Sequence, residues 1–263
     1  MDLELVGKRA FVSGSTQGIG FAIVEGLVRE GAAVVVNGRD EHRVGAAVDE
    51  LRARVPAADV TGIAADLSDP EQVQTLLARL GSVDILVNNA GVFDVQDFLE
   101  VSDEEWQRSF DVNVMSAVRL SRHALGHMFE NGWGRIVLVA SESGVDVPAD
   151  MVHYGVTKAG LLALGNGLAK ATRGSRVTVN TVVGGPTYSD GVAHAVEQLA
   201  HAQGMSADEL KDAIAAGRPT SLLQRFIEPA EIASLALYLA SPRSAATNGA
   251  ALRADGGVLT TIL

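Results

Sequence analysis

The chain has 263 residues, of which 47% are hydrophobic and 20% charged, a composition that excludes a mainly disordered chain and suits an α/β domain. Its net charge of -11 argues against nucleic-acid binding, because a surface that follows phosphates needs clustered lysine and arginine. The absence of cysteine excludes disulfides, thiolate catalysis and thiolate metal ligands. We expect a soluble cytoplasmic protein, since its apolar runs are far shorter than the roughly 20 residues that cross a bilayer.

Short β-branched segments alternate with longer segments of helical periodicity along the chain. Runs of apolar residues without polar alternation are typical of parallel strands covered on both faces. The sequence therefore predicts one Rossmann-type α/β domain over residues 1–263, a doubly wound parallel sheet of about seven strands with helices on both faces. The predicted strands are Arg9–Ser13, Ala33–Asn37, Val60–Ala65, Val83–Asn88, Arg135–Ala140, Arg176–Val182 and a short one within Ala250–Gly257. The predicted helices are Gly18–Glu30, Asp40–Val55, Asp69–Leu80, Asp103–Glu130, Met151–Arg173 and Glu228–Ala240.

The segment between the first strand and the first helix, Ser13–Gly20, reads SGSTQGIG. Glycines let a backbone turn tightly and approach a pyrophosphate, while the start of a helix offers unpaired N–H groups and a partial positive charge. Ordinary tight turns also use glycines, so the position directly after the first strand is the stronger argument. We predict that this loop binds a dinucleotide, and its candidate ligands are Gly14, Ser15, Gln17, Gly18, Ile19 and Gly20.

The glycine spacing G-x-x-x-G-x-G resembles that of the short-chain dehydrogenase/reductase family, and further motifs follow in the family's order. Asn88–Gly91 (NNAG) follows the fourth strand, and Arg253–Gly257 (RADGG) resembles the family's C-terminal signature. The resemblance covers about Leu5 to Gly257. The catalytic residues that it implies are Asn113, Ser141, Tyr154 and Lys158.

Tyr154 and Lys158 stand four residues apart in a predicted helix, which places both side chains on one face. A free tyrosine has a pKa of about 10, and a nearby ammonium lowers the pKa by stabilising the phenolate. We therefore expect Lys158 to lower the pKa of Tyr154 and to make it a general acid and base. The resemblance implies that Ser141, with Ser143 as the alternative, holds the substrate oxygen. It also implies that Asn113 bends its helix and holds a water that connects Lys158 to solvent.

The end of the second strand bears on the choice between NAD and NADP. An NAD site usually has a carboxylate there for the ribose 2′-hydroxyl, whereas this chain has Asn37, and Arg39 could clamp a 2′-phosphate. We expect NADP, with Asp40 capping the next helix. NAD stays the alternative, because Gln17 stands where NADP-preferring relatives often carry a basic residue. The other cofactor contacts that the resemblance implies are Asp66, Leu67, Asn89, Ala90, Gly91, Tyr154, Lys158, Gly185, Thr187 and Ser189.

Two of these assignments have alternatives or departures from the family pattern. Asp66 either accepts a hydrogen bond from the adenine amino group or caps a helix. After the sixth strand, Gly184 replaces the proline of the family's Pro-Gly pair, which predicts a more flexible loop at this point.

Residues 187–218 are predicted to form a lid over the substrate, with two short helices separated by Gly204. His194 and His201 are single histidines on a helical surface without an acidic cluster, so we expect no metal site. On the predicted helix that carries Tyr154, small residues would allow close contact between subunits, and these are Gly160, Ala163, Gly165 and Gly167. The resemblance implies a homo-oligomer, a tetramer or a dimer.

The function predicted from these residues is an NAD(P)-dependent oxidoreductase. It would transfer a hydride between the nicotinamide and a ketone or secondary alcohol, with Tyr154 as general acid and base. The partner is a small carbonyl or alcohol substrate. Two alternatives are a non-catalytic dinucleotide-binding sensor and an epimerase or dehydratase that retains its cofactor, although the glycine spacing disfavours the latter.

Overall fold

The computed structural model describes residues 2–217 and 219–262. The strands in these ranges are β1 (Arg9–Val12), β2 (Ala33–Gly38), β3 (Val60–Ala64), β4 (Ile85–Asn88), β5 (Gly134–Ser141), β6 (Val177–Gly184) and β7 (Ala251–Ala254). The α-helices are α1 (Gly18–Arg29), α2 (Glu41–Arg54), α3 (Pro70–Leu80), α4 (Asp103–Phe110), α5 (Ser116–Glu130), α6 (Val152–Ala171), α7 (Asp190–Gln203), α8 (Ala207–Ala216) and α9 (Pro229–Ala240). Met1 and Leu263, the ends of the predicted domain, and Arg218, the last residue of the predicted lid, lie outside the described residues.

The strands pair in parallel in the order β3-β2-β1-β4-β5-β6-β7. This order confirms the predicted doubly wound sheet, and most predicted boundaries agree to within two residues. The strand order reverses between β1 and β4, where neighbouring strands are not consecutive in the chain. A crevice for a ligand opens at such a reversal, beyond the carboxyl ends of the strands. In the described ranges, no helix is both long enough and apolar enough to span a membrane.

Helices cover both faces of the sheet and bury a separate apolar cluster on each. Successive strand residues point to opposite faces, so Val34 and Val36 pack on one side and Val35 on the other. The first face is covered by α1, α2 and α9, and the second by α3, α5 and α6. The all-apolar strands of the sequence are explained by this double burial.

The long helix predicted over Asp103–Glu130 is not a uniform α-helix. Ser102 caps α4 in a reciprocal arrangement with Glu105, and a π-helical turn, Asp111–Met115, joins α4 to α5. Turns of this kind insert an extra residue into a helix and are frequent at functional sites. The turn carries Asn113, and the bend that the family resemblance implies at this residue stays a prediction.

The small residues of α6 do not form one surface. A Cβ on Gly165 would lie 2.5 Å from Thr181 Oγ1 and 3.1 Å from Leu138 Cδ1, so this glycine lets α6 pack closely on β5 and β6. A Cβ on Gly167 would meet nothing within 4 Å. The expectation that Gly165 faces another subunit is therefore wrong, because its side of the helix is occupied by the sheet.

The segment after β6 forms the two helices expected of the lid. Gly204, with φ of +68°, ends α7 in the left-handed conformation, and α7 and α8 bury a small apolar cluster between them that includes Val196 and Leu210. The cluster is separate from the two clusters on the sheet. That this segment closes over a substrate stays a prediction.

Candidate active site

Two adjoining cavities lie at the strand reversal. The first, of about 370 Å³, extends from the glycine loop to the end of β2 and is here named the β2 groove. The second, of about 340 Å³, contains Tyr154 and is here named the tyrosine cavity. The residues that line both are Ile19, Asn89, Gly91, Phe93 and Ser189. A ligand that occupied the groove could therefore reach into the cavity.

The glycine loop is held tightly against the end of β4. Gly14 has φ of +59°, and a Cβ there would lie 2.8 Å from Ala90 Cα. Asn89 Nδ2 donates to the carbonyls of Ser13 and Gly14, at 3.1 and 2.8 Å. A Cβ on Gly20 would collide with the Gly14 carbonyl and with Asn89. Glycine is thus required at both positions by close approach of the backbone.

Most residues assigned to the loop and its surroundings line the β2 groove, but Ser15 does not. These lining residues are Gly14, Gln17, Gly18, Ile19, Asn37, Arg39, Asp66, Leu67, Asn89, Ala90, Gly91 and Ser189. Ser15 is fully buried, and its hydroxyl donates to the Val12 carbonyl and accepts from the Asn37 amide. Its assignment as a cofactor ligand is wrong because its side chain supports the loop from below, and Thr16 lines the groove instead.

Asn37 lines the β2 groove, and its side chain also supports the glycine loop. It is 1% exposed, its Oδ1 accepts from Gly14 N at 3.2 Å, and its Nδ2 donates to the Ile63 carbonyl at 3.1 Å. Asn37 therefore lies at the β2 groove as expected, and its contact with a cofactor stays a prediction. Gly38 is the next residue along the groove wall, and a Cβ there would lie 2.6 Å from Thr16 Cγ2. Within β2 no carboxylate lines the groove, and Asp40, two residues after β2, lines it while capping α2.

Two arginines face the outer end of the β2 groove. Arg39 is exposed and makes no hydrogen bond or ion pair with any residue that the structure describes. Arg43, in the first turn of α2, also lines the groove and donates to Gln17 Oε1. Asp40 caps α2 as predicted, accepting from Arg43 N at 2.8 Å. The basic group that Gln17 lacks is thus supplied by Arg43, which the sequence analysis missed.

Asp66 lies in the middle of the groove, after β3. Its Oδ1 accepts from the amide and the hydroxyl of Ser68, at 2.9 and 2.7 Å. The cap of α3 is Asp69, so the alternative in which Asp66 caps that helix is wrong. The Asp66 side chain is half-buried beside Leu67, where its remaining oxygen faces no described donor.

A carboxylate of the predicted lid reaches the start of α1. Asp190 Oδ2 accepts from the Gly18 amide at 2.6 Å, and a Cβ on Gly18 would lie 3.4 Å from Ser189 Cβ. Unpaired amides at a helix start attract anions. Asp190 therefore occupies a position that suits a phosphate.

Asn113 is fixed by both ends of its amide. Its Oδ1 accepts from Val92 N at 2.8 Å, and its Nδ2 donates to the Val92 carbonyl and to Thr157 Oγ1, each at 2.9 Å. A Cβ on Gly91 would lie 3.5 Å from Asn113 Oδ1 and 3.4 Å from Lys158 Nζ. Asn113 thus ties the chain after β4 to α6 directly beside Lys158.

Lys158 is a buried ammonium whose desolvation is only partly compensated. It is 5% exposed, and its ammonium donates to the Val139 carbonyl at 3.0 Å. Burial lowers the pKa of Lys158 to about 8, although the charge of Glu142 opposes the shift. Its Nζ lies 5.5 Å from the centroid of the Tyr154 ring.

Tyr154, Ser141 and Glu142 form a hydrogen-bonded series. Ser141 Oγ donates to Glu142 Oε2 at 2.5 Å, and the phenol of Tyr154 is hydrogen-bonded to Ser141. The bond to Ser141 lowers the pKa of Tyr154, which is the effect of a hydrogen bond that stabilises the phenolate. The series runs from phenol to hydroxyl to carboxylate within the tyrosine cavity.

The pKa of Tyr154 is shifted in the opposite direction from the expected one. Burial raises the pKa to about 12, the bond to Ser141 opposes this, and the negative charge of Glu142 adds to it. The expectation that Lys158 lowers this pKa is wrong for the protein without ligand. The physical reason is that desolvation and Glu142 both disfavour the phenolate, while the ammonium is directed at Val139.

The loop after β6 contributes the far wall of the tyrosine cavity. Gly185, Thr187 and Ser189 all line it, and Thr187 Oγ1 donates to the Gly185 carbonyl at 2.9 Å. A Cβ on Gly185 would lie 2.6 Å from the Asp255 carbonyl, so the loop packs closely on the residues after β7. Ser143 also lines the cavity, and its amide donates to Ser141 Oγ at 3.2 Å, but the serine hydrogen-bonded to the phenol is Ser141.

The shape of these cavities fits a dinucleotide. The glycine cradle would be filled by any Cβ, the groove carries two arginines at its outer end, and the cavity carries a buried lysine at its inner end. Among the described residues, no group of three or more histidine, aspartate or glutamate side chains is placed to hold a metal ion.

Comparisons with known proteins point to one family. A family model described as Enoyl-(Acyl carrier protein) reductase matches residues 14–259. The protein named Uncharacterized oxidoreductase YvrD of Bacillus subtilis is 44% identical over 266 residues, with 100% of both chains covered. The D-beta-hydroxybutyrate dehydrogenase of Rhizobium meliloti is 34% identical and covers 95% of this chain and 98% of its own. L-sorbose reductase from Gluconobacter frateurii, complexed with NADPH and L-sorbose, has a TM-score of 0.94 at 32% identity, over 100% of both chains.

The chain belongs to the short-chain dehydrogenase/reductase family. It is accordingly an NAD(P)-dependent oxidoreductase, as its resemblance to that family predicted. The sequence analysis missed four residues at the two cavities: Thr16, Arg43, Glu142 and Asp190. The position of Glu142 next to Ser141 was a signal that could have found it. Nothing in the sequence pairs Asp190 with the glycine loop, because 172 positions separate it from Gly18.

We expect the Arg39→Ala variant to lose affinity for NADPH by about ten- to a hundredfold, the range for a hydrogen bond between charged groups. NADH affinity should change by less than about twofold, because NADH carries no 2′-phosphate. Dissociation constants from cofactor fluorescence measure both. Arg79→Ala, an exposed arginine outside the groove, is the matched control. Equal losses for the two cofactors would contradict a role of Arg39 at the 2′-phosphate.

We expect the Asp190→Asn variant to bind NADPH about two- to fivefold more tightly, since the carboxylate at the start of α1 competes with phosphate for the same amide. Calorimetric titration of cofactor into the protein measures the change. Asp212→Asn removes the same charge from an exposed position of α8 and should leave the affinity unaltered. Weaker binding by Asp190→Asn would show that Asp190 supports the cofactor rather than competes with it.

Proposed function

We propose that this protein is an NADP-dependent reductase of small ketones, able to oxidise the corresponding secondary alcohols, with Tyr154 as general acid and base. One observation carries the proposal: Tyr154, Ser141 and Lys158 converge in a cavity that adjoins a groove with a glycine cradle at its base. The relatives support the reaction class, since their names describe dehydrogenation of a hydroxy acid and reduction of a ketose. NADP as the cofactor is supported by the NADPH complex of L-sorbose reductase and by the two arginines of the groove.

The residues that would hold NADPH follow the groove from end to end. Arg39 and Arg43 would contact the 2′-phosphate, Asp66 the adenine, and the glycine loop the pyrophosphate. Lys158 would bond the nicotinamide ribose at the inner end, and the loop of Thr187 and Ser189 would hold the carboxamide. When bound, NADPH supplies the hydride that reduces the carbonyl carbon.

The protein's own groups would orient the ketone and provide the proton. Ser141 Oγ would donate to the carbonyl oxygen, and Tyr154 would give its phenolic proton to the same oxygen as negative charge develops on it. The ammonium of Lys158, 5.5 Å from the ring centroid, would stabilise the phenolate that remains. Asn113 would help to position Lys158, because its bonds to Val92 and Thr157 fix the part of α6 next to this lysine.

The protonation states of the free protein favour reduction. With its pKa raised to about 12, Tyr154 is protonated at neutral pH and ready to donate. With its pKa lowered to about 8, Lys158 is still mainly charged at neutral pH and loses that charge as the pH rises through this value. Oxidation of an alcohol requires the phenolate, so it would be favoured only at higher pH.

The alternative functions are a dinucleotide sensor and an epimerase or dehydratase. A sensor needs no proton donor, yet the phenol, hydroxyl and ammonium of the tyrosine cavity are held in place by buried contacts. An epimerase would leave added cofactor unchanged. Net oxidation of NADPH by a ketone therefore separates the proposed function from both.

We expect the Tyr154→Phe variant to lose about 10²- to 10⁴-fold in kcat for ketone reduction, the usual contribution of general acid catalysis. NADPH should still bind, because the change removes only the phenolic oxygen and its transferable proton. Loss of nicotinamide absorbance with a panel of ketones measures turnover, and cofactor fluorescence measures binding. Tyr238→Phe makes the same chemical change on α9, outside both cavities, and is the control. Undiminished kcat in Tyr154→Phe would refute the assignment.

We also infer that the protein is a cytoplasmic homo-oligomer, a tetramer or a dimer. Apolar side chains exposed next to or on α5 and α6, among them Phe110, Phe129 and Val156, support an interface there, and a chain without cysteine suits a reducing compartment. Sedimentation velocity should give a mass that is two or four times the 27.4 kDa of one chain. A single species of one chain's mass at micromolar concentration would contradict the oligomer.

A further inference from the structure

A third cavity lies at the opposite end of the sheet from the active site. It has a volume of about 250 Å³ and is lined by Arg135 and Thr178, at the first residues of β5 and β6. It is here named the arginine pocket. Ser141, at the other end of β5, is six residues and about 20 Å along the strand from Arg135. A small ligand in the arginine pocket would therefore not touch the tyrosine cavity.

The pocket contains a buried arginine that is bonded only to backbone carbonyls. Arg135 is 2% exposed. Its Nε donates to the Ser241 carbonyl at 3.1 Å, and its Nη1 donates to the carbonyls of Gly134 and Arg176 at 2.9 and 3.0 Å. Among the described residues, its Nη2 has no hydrogen-bond partner. Carbonyls orient the guanidinium but do not neutralise it, and an unneutralised buried charge is costly.

The charges around Arg135 are positive. Burial lowers the pKa of Arg135 to about 10, and the charge of Arg176 adds to this shift, whereas a carboxylate nearby would oppose it. Its Cζ lies 4.6 Å from the centroid of the Trp133 ring, and Lys8 Nζ lies 4.0 Å from the same centroid. No aspartate or glutamate is found among the described residues that line the pocket, although the whole chain has a net charge of -11.

Arg176 and Thr178 supply two further groups that lack partners. Arg176 is exposed and lines the pocket, and its side chain makes no hydrogen bond or ion pair within the described ranges. Thr178 is 6% exposed, and its Oγ1 is buried without a hydrogen-bond partner there. Buried groups of this kind usually bond to a water or an ion. Thr178 is the register partner of Arg135 on the neighbouring strand, so both side chains stand on one face of the sheet.

We propose that the arginine pocket binds a small tetrahedral oxyanion, of the class of inorganic phosphate, between Arg135, Arg176 and Thr178. The anion would accept a charge-assisted hydrogen bond from Arg135 Nη2 and would neutralise the buried guanidinium. The Arg176 guanidinium would cover it from the solvent side, and the Thr178 hydroxyl would donate to it. Because the unfolded chain lacks this arrangement, the anion would stabilise the folded protein.

Inorganic phosphate, added to the full-length protein saturated with NADP⁺, tests the proposal. The bound cofactor occupies the β2 groove, so that Arg39 and Arg43 cannot bind the added phosphate. We expect calorimetric titration to show one phosphate per chain. At ten times its dissociation constant, phosphate should raise Tm by about 3 °C over sodium chloride of equal ionic strength.

Three variants place the anion. Arg135→Met removes the buried charge and should abolish phosphate binding. Thr178→Val keeps the shape, removes the hydroxyl and should weaken binding about two- to tenfold. Arg176→Ala should weaken it about two- to fivefold. Arg173→Ala removes an exposed arginine outside the pocket and should leave the affinity unchanged. Should Arg135→Met fail to fold, the other two variants decide.

Three results would overturn the site. These are no phosphate binding by the NADP⁺ complex, equal affinity in wild type, Thr178→Val and Arg176→Ala, and an equal rise of Tm with phosphate and chloride, which is a general salt effect. The proposed reductase function is tested separately, because kcat for ketone reduction should be the same in Thr178→Val and wild type. Failure of the anion site therefore leaves that function intact, and absence of turnover leaves the anion site intact.

Discussion

The architecture of the site depends on how closely the glycine loop approaches the end of β4. Asn89 bonds two loop carbonyls, and Gly14 lies so near Ala90 that a side chain at this glycine would collide with the backbone. This contact bridges the two strands at which the sheet order reverses. Because of it, the β2 groove and the tyrosine cavity share a wall, and one extended ligand can occupy both. The positions of Arg39 at one end and Lys158 at the other follow from this arrangement.

Charge is distributed unevenly between the two cavities. The outer groove is cationic at Arg39 and Arg43, where a phosphate would lie, whereas the inner cavity pairs one buried ammonium with the carboxylate of Glu142. Burial strengthens these inner interactions because little water screens them. The same burial moves the pKa of Lys158 down and that of Tyr154 up, so the inner groups begin in the states required for proton donation.

Local sequence patterns predicted the fold well because the determining physics is local. Uninterrupted apolar strands and Gly14, Gly18 and Gly20 between strand and helix were sufficient for the sheet, the family and most of the groove. The errors have tertiary causes. The side chain of Ser15 turns under the loop, which depends on its contacts with Val12 and Asn37. The direction of the Tyr154 shift depends on burial and on Glu142, neither of which the spacing to Lys158 reveals.

The π-helical turn before α5 couples the catalytic region to the hydrophobic core. Each residue of a helix rotates the side chains that follow by about 100°. The residue inserted at this turn therefore sets the direction in which the side chains of α5 point. With it, Ala117, Leu120 and Ala124 face the sheet. A deletion that converted the turn to a regular α-helix would swing that apolar face toward solvent. Asn113 therefore lies in a segment whose shortening or straightening would displace α5 from the sheet.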